Sequence, residues 1–148
     1  MLNHILACTD GSRLSDKAVA TAIALAGKTH ARLTVYHATD PFPVMPYPEY
    51  AAVLNSVRSD EWDNAQKARA KRILEKCKAK AAKAGVDCKT ISNGAMSPHD
   101  GILAAARKGK CDLIVMASHG RRGIQALVLG SETNKVLTHG KIPVLVCR

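Results

Sequence analysis

A single-domain, doubly wound α/β fold, with five parallel strands in one sheet and helices on both faces, is the architecture this sequence predicts. Three observations carry the prediction. Strand-like and helix-like segments alternate from one end to the other, the pattern that builds a parallel sheet through crossover helices. The most hydrophobic segment, Asp112-Leu-Ile-Val-Met-Ala117, is an unbroken apolar run, as strands buried on both faces are. The chain has 148 residues, the length of one domain and enough to bury a core without staples.

The first strand is read in His4–Ala7, an apolar run closed by the turn-forming Thr9-Asp10-Gly11-Ser12. Val19, Ala22, Ile23 and Ala26 then fall at i, i+3, i+4, i+7, the stripe of an amphipathic helix, with Ser15 as the expected N-cap and Asp16 in the first turn. Apolar and β-branched residues from Leu33 to Thr39 make a second strand. Prolines at 41, 43, 46 and 48 exclude a helix or central strand there and leave a stiff connector. From about Glu49 to Ala84 the composition is that of a long helix, with an interruption expected near Ser59-Asp60. Its buried stripe is Ala70, Ile73, Leu74, Cys77, Ala81 and Ala84, and Gly85 is its stop.

Val86 to Ser92 reads as the third strand. Ser97-Pro98-His99-Asp100 starts the next helix, with proline at N1 and an acid at N3, a capping-box variant, and the helix ends at Lys108-Gly109. The Asp112–Ala117 run is the fourth strand. A glycine-rich loop leads from it to a helix over about Ser131 to His139, stopped by Gly140. Ile142–Cys147 is the last strand, and Pro143 suits an edge strand or a strand's first residue.

Composition excludes several classes of function. No apolar run approaches the ~18 residues of a membrane-spanning helix, and the N-terminus has neither a basic region nor a cleavage site, so the cytoplasm is the expected compartment and no membrane partner is expected. Five cysteines without a Cys-x-x-Cys pair are neither a disulfide framework nor a zinc knuckle, and buried free thiols account for them. The formal charge of +10 invites a nucleic-acid reading, but Lys67, Arg69, Lys71, Arg72, Lys76, Lys78, Lys80 and Lys83 share one helical segment opposed only by Glu75. With 3% aromatics there is no platform for stacking bases, so a solvated helix face is expected and no specific nucleic-acid partner.

Ligands of doubly wound sheets bind at the carboxyl ends of the strands where strand order reverses, so the loops after the first and fourth strands carry the chemistry. The second of these reads Met116-Ala-Ser-His-Gly120-Arg-Arg-Gly123, then Ile124 to Leu129, then Gly130-Ser-Glu-Thr133. Glycines admit a ligand close to the backbone, and Gly130-Ser131 opens a helix whose free N–H groups and dipole suit a phosphate. A P-loop and a dinucleotide fingerprint are both absent. Gly120-Arg-Arg-Gly123 matches the KH-domain clamp in letters only, because it follows a buried strand rather than joining two helices. His119 has no partnered nucleophile or second metal ligand at useful spacing, which leaves it a loop histidine; Arg121 and Arg122 are loop charges able to screen a triphosphate.

These residues resemble the universal stress protein family. The family's ATP-binding pattern is a glycine, two residues, a glycine, nine residues, then Gly-[Ser/Thr]; Gly120, Gly130 and Ser131 match it, and Ala117 stands where the first glycine would be. Thr9-Asp10-Gly11-Ser12 and Ile142-Pro-Val-Leu-Val look like the family's first and last strands. The resemblance implies a fold of the adenine nucleotide alpha hydrolase-like kind and ATP, with Mg2+, as ligand. Asp10 would meet the adenosine, though it could equally cap its own turn. Ala38 would offer backbone groups to adenine, Met116 and Ala117 would line the ribose, and Gly120, Gly130, Ser131 and Glu132 would hold the phosphates.

The resemblance further implies a stress-response regulatory protein without efficient catalysis, a homodimer paired through the C-terminal strands, and regulatory protein partners. Two alternatives stand beside it: a slow ATPase, and a protein-interaction module of the family branch that binds no nucleotide.

Overall fold

A computed structural model of the chain describes residues 1–40, 48–94, 97–120 and 129–148, with residues 48–59 described by backbone alone. The order is β1 (His4–Cys8), α1 (Arg13–Thr29), β2 (Arg32–Thr39), α2 (Pro48–Lys83), β3 (Cys88–Gly94), α3 (Pro98–Gly109), β4 (Leu113–Ala117), α4 (Ser131–His139) and β5 (Val144–Cys147). The strands form one parallel sheet in the order β3-β2-β1-β4-β5. This is the predicted doubly wound α/β fold, with β5 at an edge.

The period of two along each strand divides the core between two faces. Ile5, Ala7, Leu33, Val35, Val115 and Ala117 pack under α1 and α2 with Val19, Ile23, Leu74 and Cys77. Leu6, Cys8, Tyr36, Ile114 and Met116 pack under α3 and α4 with Ile102, Leu103 and Val136. β1 is buried at every position, which explains its unbroken apolar run.

Several boundaries differ from the expectations, each for a local reason. α1 is capped by Ser12, not Ser15: the Ser12 hydroxyl accepts the Ser15 N–H at 3.2 Å, and Ser15 lies inside the helix. α2 runs unbroken through Ser59-Asp60. Ala70, Leu74, Cys77 and Ala81 are buried and Ile73 half-buried, whereas Ala84 is exposed beyond the helix end.

Gly85 stops α2 in the left-handed region (φ 70°), with Gly85 N–H donating to Ala82 and Val86 N–H to Ala81. That Schellman pattern uses Val86, so β3 begins at Cys88 rather than at Val86. Ser97 caps α3 without bonding its backbone; its hydroxyl donates to Asp100 instead, at 2.6 Å. β5 begins at Val144, after Pro143, whose carbonyl accepts the Ile114 N–H at 2.9 Å. The proline-rich connector at 41–47 lies outside the described residues.

Candidate functional site

β1 and β4 are neighbours, in register through Ile5 with Leu113, Leu6 with Ile114 and Ala7 with Val115, although they are far apart in sequence. β2 and β3 lie to one side of this pair and β5 to the other, so strand order reverses here. The turn 9–12 and the loop that starts at Ser118 therefore open side by side, as the sequence predicts.

The turn after β1 is bonded to itself. Asp10 Oδ1 accepts the Ser12 N–H at 2.9 Å, Thr9 Oγ1 accepts the Gly11 N–H at 3.1 Å, and the Thr9 and Ser15 hydroxyls lie 3.0 Å apart. Gly11 suits this turn because its φ is 81°, in the left-handed region that favours glycine. Asp10 thus performs the turn-capping role open to it on sequence. Its other oxygen, Oδ2, lies 3.0 Å from where a Cβ on Gly120 would fall, so glycine lets the second loop approach the first. His37, buried at the end of β2, lies with Nδ1 2.8 Å from the Thr9 carbonyl and braces the same turn.

After β4, Ser118 is buried and bonded to both neighbours. Its N–H donates to Cys147 at 2.8 Å, and its carbonyl accepts the Gly130 N–H at 2.7 Å. A Cβ on Gly130 would lie 3.0 Å from that carbonyl and 3.3 Å from the His119 Cα, so glycine permits α4 to start against the loop's first residues. Gly130 has φ −68° and ψ 155°, open to any residue, and close approach is what it supplies. Because its N–H is already given to Ser118, the donors left without an intrahelical acceptor are the N–H groups of Ser131, Glu132 and Thr133. Among the described residues no side chain caps this helix. Thr133 fixes its angle: the hydroxyl donates to the Ala117 carbonyl at 3.0 Å.

Met116 and Ala117 are both buried, on opposite faces of β4, so they meet the site through main chain. Ala117 is not among the positive-φ residues, and its methyl packs in the core under α1. The substitution of alanine for the family's glycine is therefore compatible with the backbone. Ala38 lies half-buried at the end of β2, opposite Asn93. The structure thus brings Asp10 to Gly120 and Gly130 to the start of the loop, and places Ser131 and Glu132 in the first turn of α4. Arg121, Arg122 and Gly123 lie outside the described residues.

Three features escaped the sequence reading. Glu132 is held by α3: its Oε2 accepts the His99 backbone N–H at 2.8 Å and lies 3.0 Å from His99 Nδ1, while Lys135 donates to Oε1 at 3.1 Å. Burial opposes the charged form, yet these hydrogen bonds hold the Glu132 carboxyl below its ordinary range. The basic face of α2 is exposed at Lys67, Lys71, Arg72, Lys76, Lys78 and Lys83, as expected, but Lys76 and Lys80 also reach Asp16 at 2.6 and 3.4 Å and tie α2 to α1. Ser118 Oγ and His119 Nδ1 lie 3.0 Å apart. Of the five thiols expected to be buried and free, Cys8, Cys77, Cys88 and Cys111 are, and burial pushes them up, Cys88 to about 11, whereas Cys147 is free but half-buried. Among the described residues no helix is long and apolar enough to cross a membrane, and no group of three or more His, Cys, Asp or Glu could hold a metal ion.

Comparison with known proteins places these features in context. The model of the universal stress protein family matches residues 1–148. The universal stress protein YxiE of Bacillus subtilis is 34% identical over the whole of both chains. The solved structure of UspA from Lactobacillus plantarum aligns with a TM-score of 0.84 at 28% identity, covering 99% of this chain and 98% of that one. A universal stress protein solved in complex with cAMP aligns with a TM-score of 0.71 at 27% identity, over 99% and 97% of the two chains.

Proposed function

The chain belongs to the universal stress protein family, and from that membership we propose that it is a stress-response regulator that binds ATP with Mg2+ at the loop after β4 and does not turn it over efficiently. The observation that carries the reading is the start of α4. A capless glycine leaves a helix N-terminus open at the strand-order reversal, within reach of the Asp10 turn, and such an end favours phosphate. The cAMP complex of a similar chain lends support, as a nucleotide held by a relative.

In this reading Asp10 meets the adenosine and the Ala38 main chain the adenine edge. Met116 and Ala117 line the ribose by main chain. The phosphates lie on the N–H groups of Gly120, Ser131 and Glu132, with Gly130 providing the close approach. Magnesium binds largely through phosphate oxygens and its own waters, so it asks little of the protein; the exposed Ser131 hydroxyl is an oxygen of suitable chemistry. The Ser118–His119 pair does not supply a nucleophile, because Ser118 is only 2% exposed, which supports a binding role over a catalytic one.

Occupancy and dimer state would carry the signal to regulatory protein partners. β5 is an edge strand of the sheet, with Leu145 exposed, and an antiparallel pairing of two such strands across a two-fold axis makes the homodimer. Calorimetric titration with ATP and magnesium, beside mass spectrometry of what co-purifies, tests the site. Binding without sustained phosphate release is the expected result. Sustained release identifies an ATPase instead, and neither heat nor pre-bound nucleotide identifies the non-binding protein-interaction module. Sedimentation at tens of micromolar tests the dimer, and a monomer there overturns it.

A further inference from the structure

The clasp between α3 and α4 meets the proposed phosphate site at Glu132. This residue stands in the first turn of α4 and accepts from His99 through both the backbone N–H and the ring. A carboxylate has no proton to give, so Nδ1 of His99 carries its hydrogen whether the ring is neutral or charged. The proton that charges the ring must therefore sit on Nε2. That nitrogen lies 3.6 Å from Asp100 Oδ1 and 3.5 Å from Ser97 Oγ, and the Ser97 hydroxyl donates away from it, to Asp100 Oδ2. One edge of the ring thus faces Glu132 and the other faces Asp100, with 15% of the His99 side chain exposed.

The remaining charged neighbours are few among the described residues. From α4, Lys135 is bonded to Glu132, and the His139 ring lies 5.8 Å from that of His99. On α3, Arg107 acts on Asp100. With His99 charged, the charges of His99, Lys135, Glu132 and Asp100 cancel and Arg107 leaves a positive excess. With His99 neutral, that positive excess is lost beside the helix end that must receive phosphates.

Resting on the nucleotide reading above, we propose that His99 is a positioning residue for the phosphate site and that nucleotide binding takes up a proton there. Through Glu132 it fixes the first turn of α4, and through its charge it decides how well that turn tolerates an anion. Affinity for a polyphosphate then falls as pH rises through the titration of His99, and by linkage the bound nucleotide raises the pH at which His99 loses its proton. The pair lies 33 residues apart in sequence and joins two elements, so it acts as a tie as well as a charge.

The test reads the proton directly. The His99 ring resonance, assigned by its loss in His99→Gln, is titrated by NMR over about pH 5 to 8, with and without magnesium ATP. The expected result is a higher midpoint in the presence of nucleotide. Calorimetry across the same range should show wild-type affinity falling by about three- to tenfold more than that of His99→Gln. Titration of ATP itself is common to both proteins and cancels in the comparison. Glu132→Gln should bind ATP more tightly than wild type at the alkaline end. Measured binding with an unmoved His99 midpoint and equal slopes in wild type and His99→Gln overturns the proton coupling alone. No binding at any pH overturns the nucleotide reading and this inference with it.

Discussion

Helices α1 and α4 begin side by side at the carboxyl ends of β1 and β4, and they dispose of their first-turn N–H groups in opposite ways. α1 is closed by its own sequence. Ser12 accepts from Ser15, Asp10 from Ser12 and Thr9 from Gly11, so the polar groups of the turn are spent on one another. α4 starts at a glycine with no side chain to offer, and among the described residues no side chain caps its donors at the reversal point. Their charges differ as well. Asp16 in the first turn of α1 is answered by two lysines of α2, and Glu132 in that of α4 by Lys135 and by His99 of α3. A cap and an anion site are competing uses of the same donors; serine caps α1, and glycine at the start of α4 leaves its donors to the proposed phosphate site.

Substitutions can break or sharpen this contrast, and the largest effect belongs to Gly130→Val. Its Cβ would press on the Ser118 carbonyl and force α4 away from the loop start, so ATP affinity should fall by about 2–4 kcal/mol while circular dichroism shows the fold intact. Unchanged affinity in calorimetry would mean the phosphates lie elsewhere. Asp10→Ala should affect both ends of the comparison. It removes the acceptor for Ser12 and the proposed adenosine contact, costing about 1–3 kcal/mol of affinity and, in urea unfolding, about 1 kcal/mol of stability.

Ser12→Ala isolates the closed helix. Loss of the cap should cost about 1 kcal/mol of stability with no change in ATP affinity; a parallel loss of affinity would show that the two helix starts are not independent. The smallest effect is that of Asp16→Asn. Partial burial opposes the charge of Asp16, but the hydrogen bond from Lys76 and the charges of Lys80 and Lys76 hold its carboxyl below the ordinary carboxylate value. Since the folded value is depressed, the contribution is full above the unfolded-state value and fades as pH falls through the folded one. Solvent screening keeps it under about 1 kcal/mol, so the stabilities of wild type and Asp16→Asn should differ slightly at neutral pH and converge in acid.

The alternation of elements was legible because each strand and helix announces itself over its own few residues. Buried β1 and β4 show continuous apolar runs, and α4 has both of its ends marked by glycine. What sequence could not decide was the choice between near-equivalent groups. Ser12 and Ser15 both suit a cap, and only the path of the turn selects the first. Val86 is apolar enough for a strand, but the helix stop claims it. In the site, glycines at 120 and 130 signalled close approach without saying to what; Asp10 and Ser118 are the answers. The His99–Glu132 and Lys76–Asp16 contacts span 33 and 60 residues, and no local pattern connects their ends.

The pairing of β1 with β4 also governs how the protein is made. Asp112, just before β4, accepts the backbone N–H of Asn3 and of His4, a link across 109 and 108 residues that closes the centre of the sheet. During synthesis β1 precedes β2 and can pair with it early, yet its other edge stays open until β4 has left the ribosome, and β5 follows β4. The nascent chain must therefore carry one open edge of a largely apolar strand until β4 emerges.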